Sequence, residues 1–285
     1  MKRALMILVA GTLISGAAAW TASAADPAPR VTLTRLDCGT VQVNDLNAFS
    51  DTDAYVGKSK RLTDSCYLIR HGDELMLWDT GLPAALKGAP IDPKPTMSAT
   101  VARTIVEQLA QLGVTPAQIT RIGISHFHFD HVGQASAFPN AKLMIGADDW
   151  TALTADKPDA RLAGAVGALK PWLDNRSLAD PITGDRDVFA DGSVRMINLP
   201  GHTPGHHGLL VKLARKGYVL LTGDQAHFTA NYMSDGVPSF NTDRADTLAS
   251  FRRFKDIARN VKATVIIQHE SADIAKLPAF PTAAD

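Results

Sequence analysis

Apolar residues recur along the chain with two different periods. Short alternating or wholly apolar runs at Val31–Leu36, Cys66–Arg70 and Glu74–Trp78 read as strands, the last two joined by the turn-like "HGD". Between Ala99 and Leu112 the apolar positions 101, 105, 109 and 112 have helical spacing, and Gly113 ends the run. "RIGIS" at 121–125 and "KLMIG" at 142–146 are short buried-strand candidates. Asp159 to Leu173 reads as a helix with Pro171 near its end. Strands resume at Ser193–Leu199, Gly208–Leu213 and Tyr218–Thr222. Residues 242–259 form a second amphipathic helix with Leu248, Phe251, Phe254 and Ile257 on one side and Asn241 or Thr242 as its cap. "ATVII" at 263–267 is the last strand. Clusters of strands with helices between them, in two similar halves, predict an α/β (α+β) fold of two sheets with helices on their outer faces.

The chain has 285 residues, 45% of them hydrophobic, enough for a sizeable core. Its first 24 residues stand apart. Lys2 and Arg3 precede the apolar run "ALMILVAGTLISGAAA", and "ASA" ends at Ala24, the pattern of a cleaved signal peptide. The run is short for a membrane span and rich in Ala and Gly, so a stable membrane anchor is not expected. Residues 25–285 are then a single domain, periplasmic or secreted. Losing Lys2 and Arg3 leaves 27 basic against 29 acidic side chains, a net of −2. With no basic tract the chain lacks the phosphate-binding force of a nucleic-acid partner, which points to a small-molecule substrate. Cys38 and Cys66 both flank strand-like runs. An oxidising compartment permits a bond between them, but two buried free thiols packed as small hydrophobes is the reading preferred here.

"SHFHFDHVG" at 125–133 concentrates ligand chemistry at the end of a strand. Residues i and i+2 of an extended segment point the same way, so His126 and His128 converge if the chain stays extended to about residue 128. Asp130 and His131 then fall in the turn that leaves the strand. His202 follows the strand ending at Leu199, Asp224 follows "VLLTG", and His269 follows "VIIQ". These seven imidazole and carboxylate groups suit zinc, and also iron, manganese or cobalt. His71 reads as a turn residue, His206 as a support for the site, and His207 as the start of a strand.

Taken together, "HFHFDH", the His of "PGHTPGH", the Asp of "TGD" and a late His resemble the dinuclear metallo-β-lactamase superfamily. The resemblance covers essentially all of the mature chain, "LWDTG" at 77–81 included. "CYLIRHGDELMLWDTGLP", "SHFHFDHVG" and "LPGHTPGHHGLLV" are most similar to the N-acyl-homoserine lactonases. The resemblance implies an αββα sandwich of two mixed sheets, two divalent metal ions with zinc foremost, and opening of a lactone ring by a hydroxide held between them. It implies His126, His128 and His202 on one metal, Asp130, His131 and His269 on the other, and Asp224 bridging. Asp79 is implied to orient a ligand histidine, and Asp130 also to handle a proton as the ring opens. Where the lactonases commonly carry a tyrosine three residues after the bridging aspartate, this chain has His227. A catalytic role for His227 follows, and hydrolysis of other lactones, esters or organophosphate triesters stays open beside N-acyl-homoserine lactones. Phe129 and Phe228 are candidate walls of the substrate pocket. A homodimer is compatible with this kind of enzyme. A flavodiiron-type redox module would need a flavin domain and more carboxylate ligands, and many β-lactam-cleaving enzymes a zinc-binding cysteine, none of which is evident.

Overall fold

The structure, a computed structural model, describes Met1 and residues 29–285. The leader expected over residues 1–24 lies, Met1 aside, outside the described residues. Strands β1 (Val31–Val43), β2 (Lys60–His71), β3 (Glu74–Trp78), β4 (Met97–Thr100), β5 (Arg121–Gly123), β6 (Lys142–Gly146) and β7 (Ala179–Ile182) form one sheet, ordered β4-β1-β2-β3-β5-β6-β7. Strands β8 (Arg186–Asp187), β9 (Val194–Asn198), β10 (His207–Leu213), β11 (Gly217–Leu221) and β12 (Thr264–Ile266) form the second, ordered β12-β11-β10-β9-β8. Both sheets are mixed: β3, β5, β6 and β7 pair in parallel, as do β11 and β12, and the other pairs are antiparallel.

Period-two alternation builds the layers. In β3, Met76 and Trp78 point into the space between the sheets, where they join Leu33, Tyr67 and Ile69 of the same sheet and Leu209, Val211 and Leu221 of the other. Leu75 and Leu77 point outward, onto a cluster that includes Ile105 and Leu109 of α1 (Ile105–Gln111). The helices α2 (Phe129–Val132), α3 (Ala147–Leu153), α4 (Ala163–Ala168) and α5 (Lys170–Asp174) lie along the same half of the chain. Beyond α6 (Thr229–Ser234), the long α7 (Arg244–Asn260) lays Phe254 and Ala258 against Ile197, Leu210 and Leu220 on the outer face of the second sheet. The short α8 (Ser271–Ile274) follows β12. Helices, sheet, sheet and helices make the αββα sandwich. Among the described residues no helix is long and apolar enough to cross a membrane.

Several local expectations are corrected. The first helix begins at Ile105 rather than near Ala99. Thr104 and Glu107 form a capping box there, and 97–100 are drawn into an edge strand against β1. Residues 159–173 are a broken series, with Pro171 in the first turn of α5, where a missing N–H costs nothing. Asp243, not Asn241 or Thr242, caps α7 by accepting from the Asp246 N–H at 2.8 Å. His71 is no turn residue. It ends β2, buried, stacked on Phe189 at 4.0 Å with its Nε2 2.7 Å from Asp191 Oδ2. The cysteines are bonded rather than free, Cys38 to Cys66 with Cα atoms 5.8 Å apart. Strand β1 runs seven residues past Leu36 with a bulge between Asp37 and Gly39, and Leu36 pairs with Cys66, which brings Cys38 beside it.

Candidate functional site

The ends of β3, β5, β9, β11 and β12 open toward one spot. The strand expected to run to about residue 128 ends at Gly123, and the chain beyond it bends at Ser125, Phe127 and His128, yet His126 and His128, two residues apart, still reach the same point. The turn expected next is a single turn of helix, α2, which carries Asp130 and His131. His126 Nε2 lies 2.9 Å from His128 Nδ1, and His202 Nε2 lies 3.1 Å and 2.9 Å from the same two atoms. Asp224 Oδ2 stands 3.3 Å from His202 Nε2 and 3.6 Å from His126 Nε2. Its Oδ1 stands 3.2 Å from His131 Nε2 and 2.9 Å from His269 Nε2, which are themselves 3.3 Å apart. Asp130 completes this second set at 4.0 Å from both nitrogens. The structure thus brings all seven predicted residues together in two adjacent sets, and Asp224 gives one oxygen to each.

The donor chemistry fits a divalent cation. Four rings have their other nitrogen bound elsewhere: His126 Nδ1 to Ser125 Oγ at 3.0 Å, His131 Nδ1 to Asp79 Oδ2 at 2.9 Å, His202 Nδ1 to Asn241 Oδ1 at 2.8 Å, and His269 Nδ1 to the Thr63 carbonyl at 2.9 Å. The last three partners only accept, which assigns those ring N–H groups to the far side and leaves each Nε2 lone pair facing the centre, while the Ser125 hydroxyl can serve His126 in either role. Lone pairs that converge without protons between them need a cation. Tetrahedral zinc, bound at about 2.0–2.1 Å, would separate its nitrogens by roughly 3.3 Å, close to the spacings seen here. Burial, then neighbouring imidazoles, holds His126 and His128 well below the ordinary histidine range, in the neutral form that ligates. Burial pushes the Asp224 carboxyl upward, but His227, His131 and His269 outweigh it and hold it well below the carboxylate range. Burial likewise opposes charge on His131 and His269. Asp224 overrides it in both, raising His131 well above its usual value and His269 to about 9. The second set, between Asp130 and Asp224, therefore favours positive charge.

Of the residues that hold the ligands, Asp79 and His206 were expected from the sequence and the others carry no mark in its pattern. Asp79, which was expected, adopts a left-handed backbone (φ 57°) that aims its carboxylate back at the Ser125 N–H (2.7 Å) and His131. Such a conformation costs a non-glycine residue roughly 1 kcal/mol or more, which marks a site where aim matters more than local ease. His206 accepts from the Asp224 N–H at 2.9 Å through Nε2 and donates from Nδ1 to the Leu199 carbonyl at 2.9 Å, so it seats the bridging residue as a support. Gly223 (φ 53°) has no alternative, because a Cβ there would meet His206 Nε2 at 2.6 Å. His207 starts β10, as expected. Asp149, unflagged by spacing, accepts from the Gly205 N–H at 2.7 Å and Thr203 Oγ1 at 2.8 Å, anchoring the loop of His202. Asn241, read from sequence only as a cap, orients His202. Asn241→Ala is expected to weaken cation binding at the first set by about 10–100-fold. Chelator competition on the metal-loaded protein checks this, and unchanged release would remove Asn241 from the site.

A cleft of about 200 Å³ opens above these ligands. His128, Asp130, Asp224, His227 and His269 form its polar floor, and Val41, Phe49, Leu62, Met97, Phe129 and Phe240 its apolar walls. Phe129 stands at the rim, 40% exposed. Phe228 does not line the cleft. It packs in the core with Leu46, Phe49 and Leu82, because consecutive residues of an extended segment face opposite sides and His227 takes the cleft side. Met233 is exposed away from the walls, whereas Phe240 joins them. His227 Nε2 lies 3.0 Å from Asp224 Oδ2, and Phe49 meets its ring edge-on at 4.9 Å. Burial, outweighing Asp224, lowers its pKa and favours the neutral ring beside the bridging carboxylate.

Residues 61–269 match the family model of the metallo-beta-lactamase superfamily. The chain is 32% identical to N-acyl homoserine lactonase AttM of Rhizobium radiobacter over 181 residues, 61% of this chain and 68% of the relative. It is 28% identical to N-acyl homoserine lactonase AiiA of Bacillus thuringiensis subsp. kurstaki over 232 residues, 79% of this chain and 88% of the relative. A solved quorum-quenching N-acyl homoserine lactone hydrolase superposes with a TM-score of 0.74 at 25% identity, covering 91% of this chain and 100% of that one. The hydrolase AbOPH shares the fold alone, with a TM-score of 0.60 at 20% identity over 87% of this chain and 89% of its own.

Proposed function

Starting from a chain that belongs to the metallo-β-lactamase superfamily and is a metal-dependent hydrolase, we propose that its reaction is the opening of N-acyl-homoserine lactones at a centre of two divalent ions, zinc foremost. The observation that carries this reading is Asp224, one oxygen at 2.9–3.2 Å from the second set and the other at 3.3–3.6 Å from the first, under a cleft with apolar walls. The similar relatives named as N-acyl homoserine lactonases supply the substrate class. His126, His128 and His202 would hold one ion, Asp130, His131 and His269 the other, and Asp224 both.

When bound, such ions lower the pKa of a shared water, provide hydroxide near neutral pH and polarise an ester carbonyl. The chain does the rest. The apolar walls take the acyl chain and exclude bulk water, leaving the lactone carbonyl over the polar floor. Hydroxide oxygen bonds to the carbonyl carbon, the ring C–O bond breaks, and the ring oxygen leaves as an alcohol. Asp130, half-buried at the floor, is placed to carry the proton to that oxygen. His227 holds Asp224 Oδ2, so its part is to steady the bridging carboxylate. A serine or cysteine nucleophile is not required. The leader pattern supports a place in the periplasm or outside the cell, and the Cys38–Cys66 bond suits that oxidising setting.

The test uses mature protein of known metal content with short- and long-chain acyl-homoserine lactones, a phosphotriester and an aryl ester side by side. The expected outcome is a gain of one water mass on the lactones, abolished by excess chelator and restored by the divalent ion. Turnover of the phosphotriester or aryl ester with the lactones left intact would replace the substrate reading. That result would move attention to His227, where the chain departs from the lactonases.

A further inference from the structure

We propose that Gln268 is a positioning residue that sets the second ligand set through Asp79 while seating the backbone that carries Asp224. The inference rests on the two-ion reading above. Gln268 is fully buried and lies beside the ligand His269, yet its side chain points away from the cleft and across to the first sheet. Its Oε1 accepts from the Trp78 indole N–H at 2.9 Å and from the Gly223 N–H at 2.9 Å. Its Nε2 donates to Asp79 Oδ2 at 2.9 Å and to the Ser65 carbonyl at 3.2 Å. The two former partners are donors only and the two latter are acceptors, so the amide has one satisfied orientation.

This placement does two things. Asp79 Oδ2 also accepts from His131 Nδ1 at 2.9 Å, so the Gln268 donor shares the oxygen that orients the ligand ring. Asp79 already holds a left-handed backbone, and a second donor on the same oxygen fixes the carboxylate plane that its strained main chain presents. On the other side, Gly223 precedes Asp224, whose own N–H is held by His206. The bridging residue is thus gripped through two adjacent N–H groups, one by each side of the centre. One amide joins the middle of β2 to the ends of β3, β11 and β12 beneath the ligands, which a simple core glutamine would not need to do.

Two variants separate positioning from structural support. Gln268→Glu keeps an oxygen for Trp78 and Gly223 but replaces the donor to Asp79 with a second oxygen. Gln268→Met keeps the volume and removes all four contacts. On full-length zinc-loaded protein, chelator competition should show that Gln268→Glu releases one of its two ions at about 10–100-fold lower chelator, with the other ion held as in the wild type. Gln268→Met should lose the same ion and also melt at lower temperature, since two buried N–H groups lose their acceptor. Release of both ions at the wild-type chelator concentration by Gln268→Glu overturns the proposal. So does loss of both ions together, which would mark a general collapse. Wild-type ion count and lactone turnover in the same series report on the underlying reading. A one-ion wild type overturns both, whereas a two-ion wild type with an unmoved Gln268→Glu overturns this inference alone.

Discussion

Asp224→Asn should lower kcat/KM for the lactone by about a thousandfold. A metal acting as Lewis acid and water activator contributes several kcal/mol, and about 4 kcal/mol corresponds to three powers of ten. The substitution removes the one anion shared by the two sets while leaving the side chain nearly the same size. Five imidazoles surround that carboxylate, from His126, His131, His202, His227 and His269. Without its charge, two divalent ions would stand near each other with no protein anion between them, so ion count should fall below two per chain. The backbone of residue 224 remains held by His206, and that of Gly223 by Gln268, so the fold should survive and the loss should be chemical. Product mass, ion content and melting temperature measured together decide the matter. A variant that keeps two ions and turns over within tenfold of the wild type would remove Asp224 from the bridging role.

The ligand residues were legible because each sits in a short motif at a strand end, where side-chain direction follows from local backbone alone. His126 and His128 stand two residues apart on the segment leaving β5, and although that segment bends, the two rings still meet. The layer order was legible for a similar reason: alternation in "ELMLW" assigns Met76 and Trp78 to one face whatever lies beyond. What escaped depends on long-range pairing. Gln268 finds partners in Ser65, Trp78 and Asp79, which no periodicity links to it. Asn241 looked like a helix cap because its chemistry suits one, but Asp243 took that place and freed Asn241 to hold His202. Phe228 was misplaced because its neighbour His227, on the opposite side of an extended step, claimed the cleft. The extent of β1 was hidden by its bulge, which interrupts the alternation at Asp37.

That bulge underlies the second large effect, the loss of stability when the Cys38–Cys66 bond is removed. The bond closes a loop of 28 residues that contains segment 44–58, which carries the cleft residue Phe49. Chain entropy for a loop of that size gives about 3.5 kcal/mol, and at about 2–4 °C per kcal/mol for a domain of this size the melting temperature should fall by about 7–14 °C. A double Cys38→Ala, Cys66→Ala variant tests this without leaving a buried hydroxyl in an apolar site. Treating the wild type with reductant should lower its melting temperature by a similar amount, and the double variant should no longer respond to reductant. Activity at 25 °C should stay within a few-fold, because both sulfurs are buried behind the loop of Asp79 rather than in the cleft. Cys38 lies so close to Gly81 there that a Cβ on the glycine would meet the Cys38 Cβ at 2.5 Å. Equal melting of oxidised and reduced protein would mean that the strand pairing of β1 and β2 holds the segment without help. A fall in activity as large as that of Asp224→Asn would mean that the bond, through Gly81 and the turn behind it, sets the aim of Asp79.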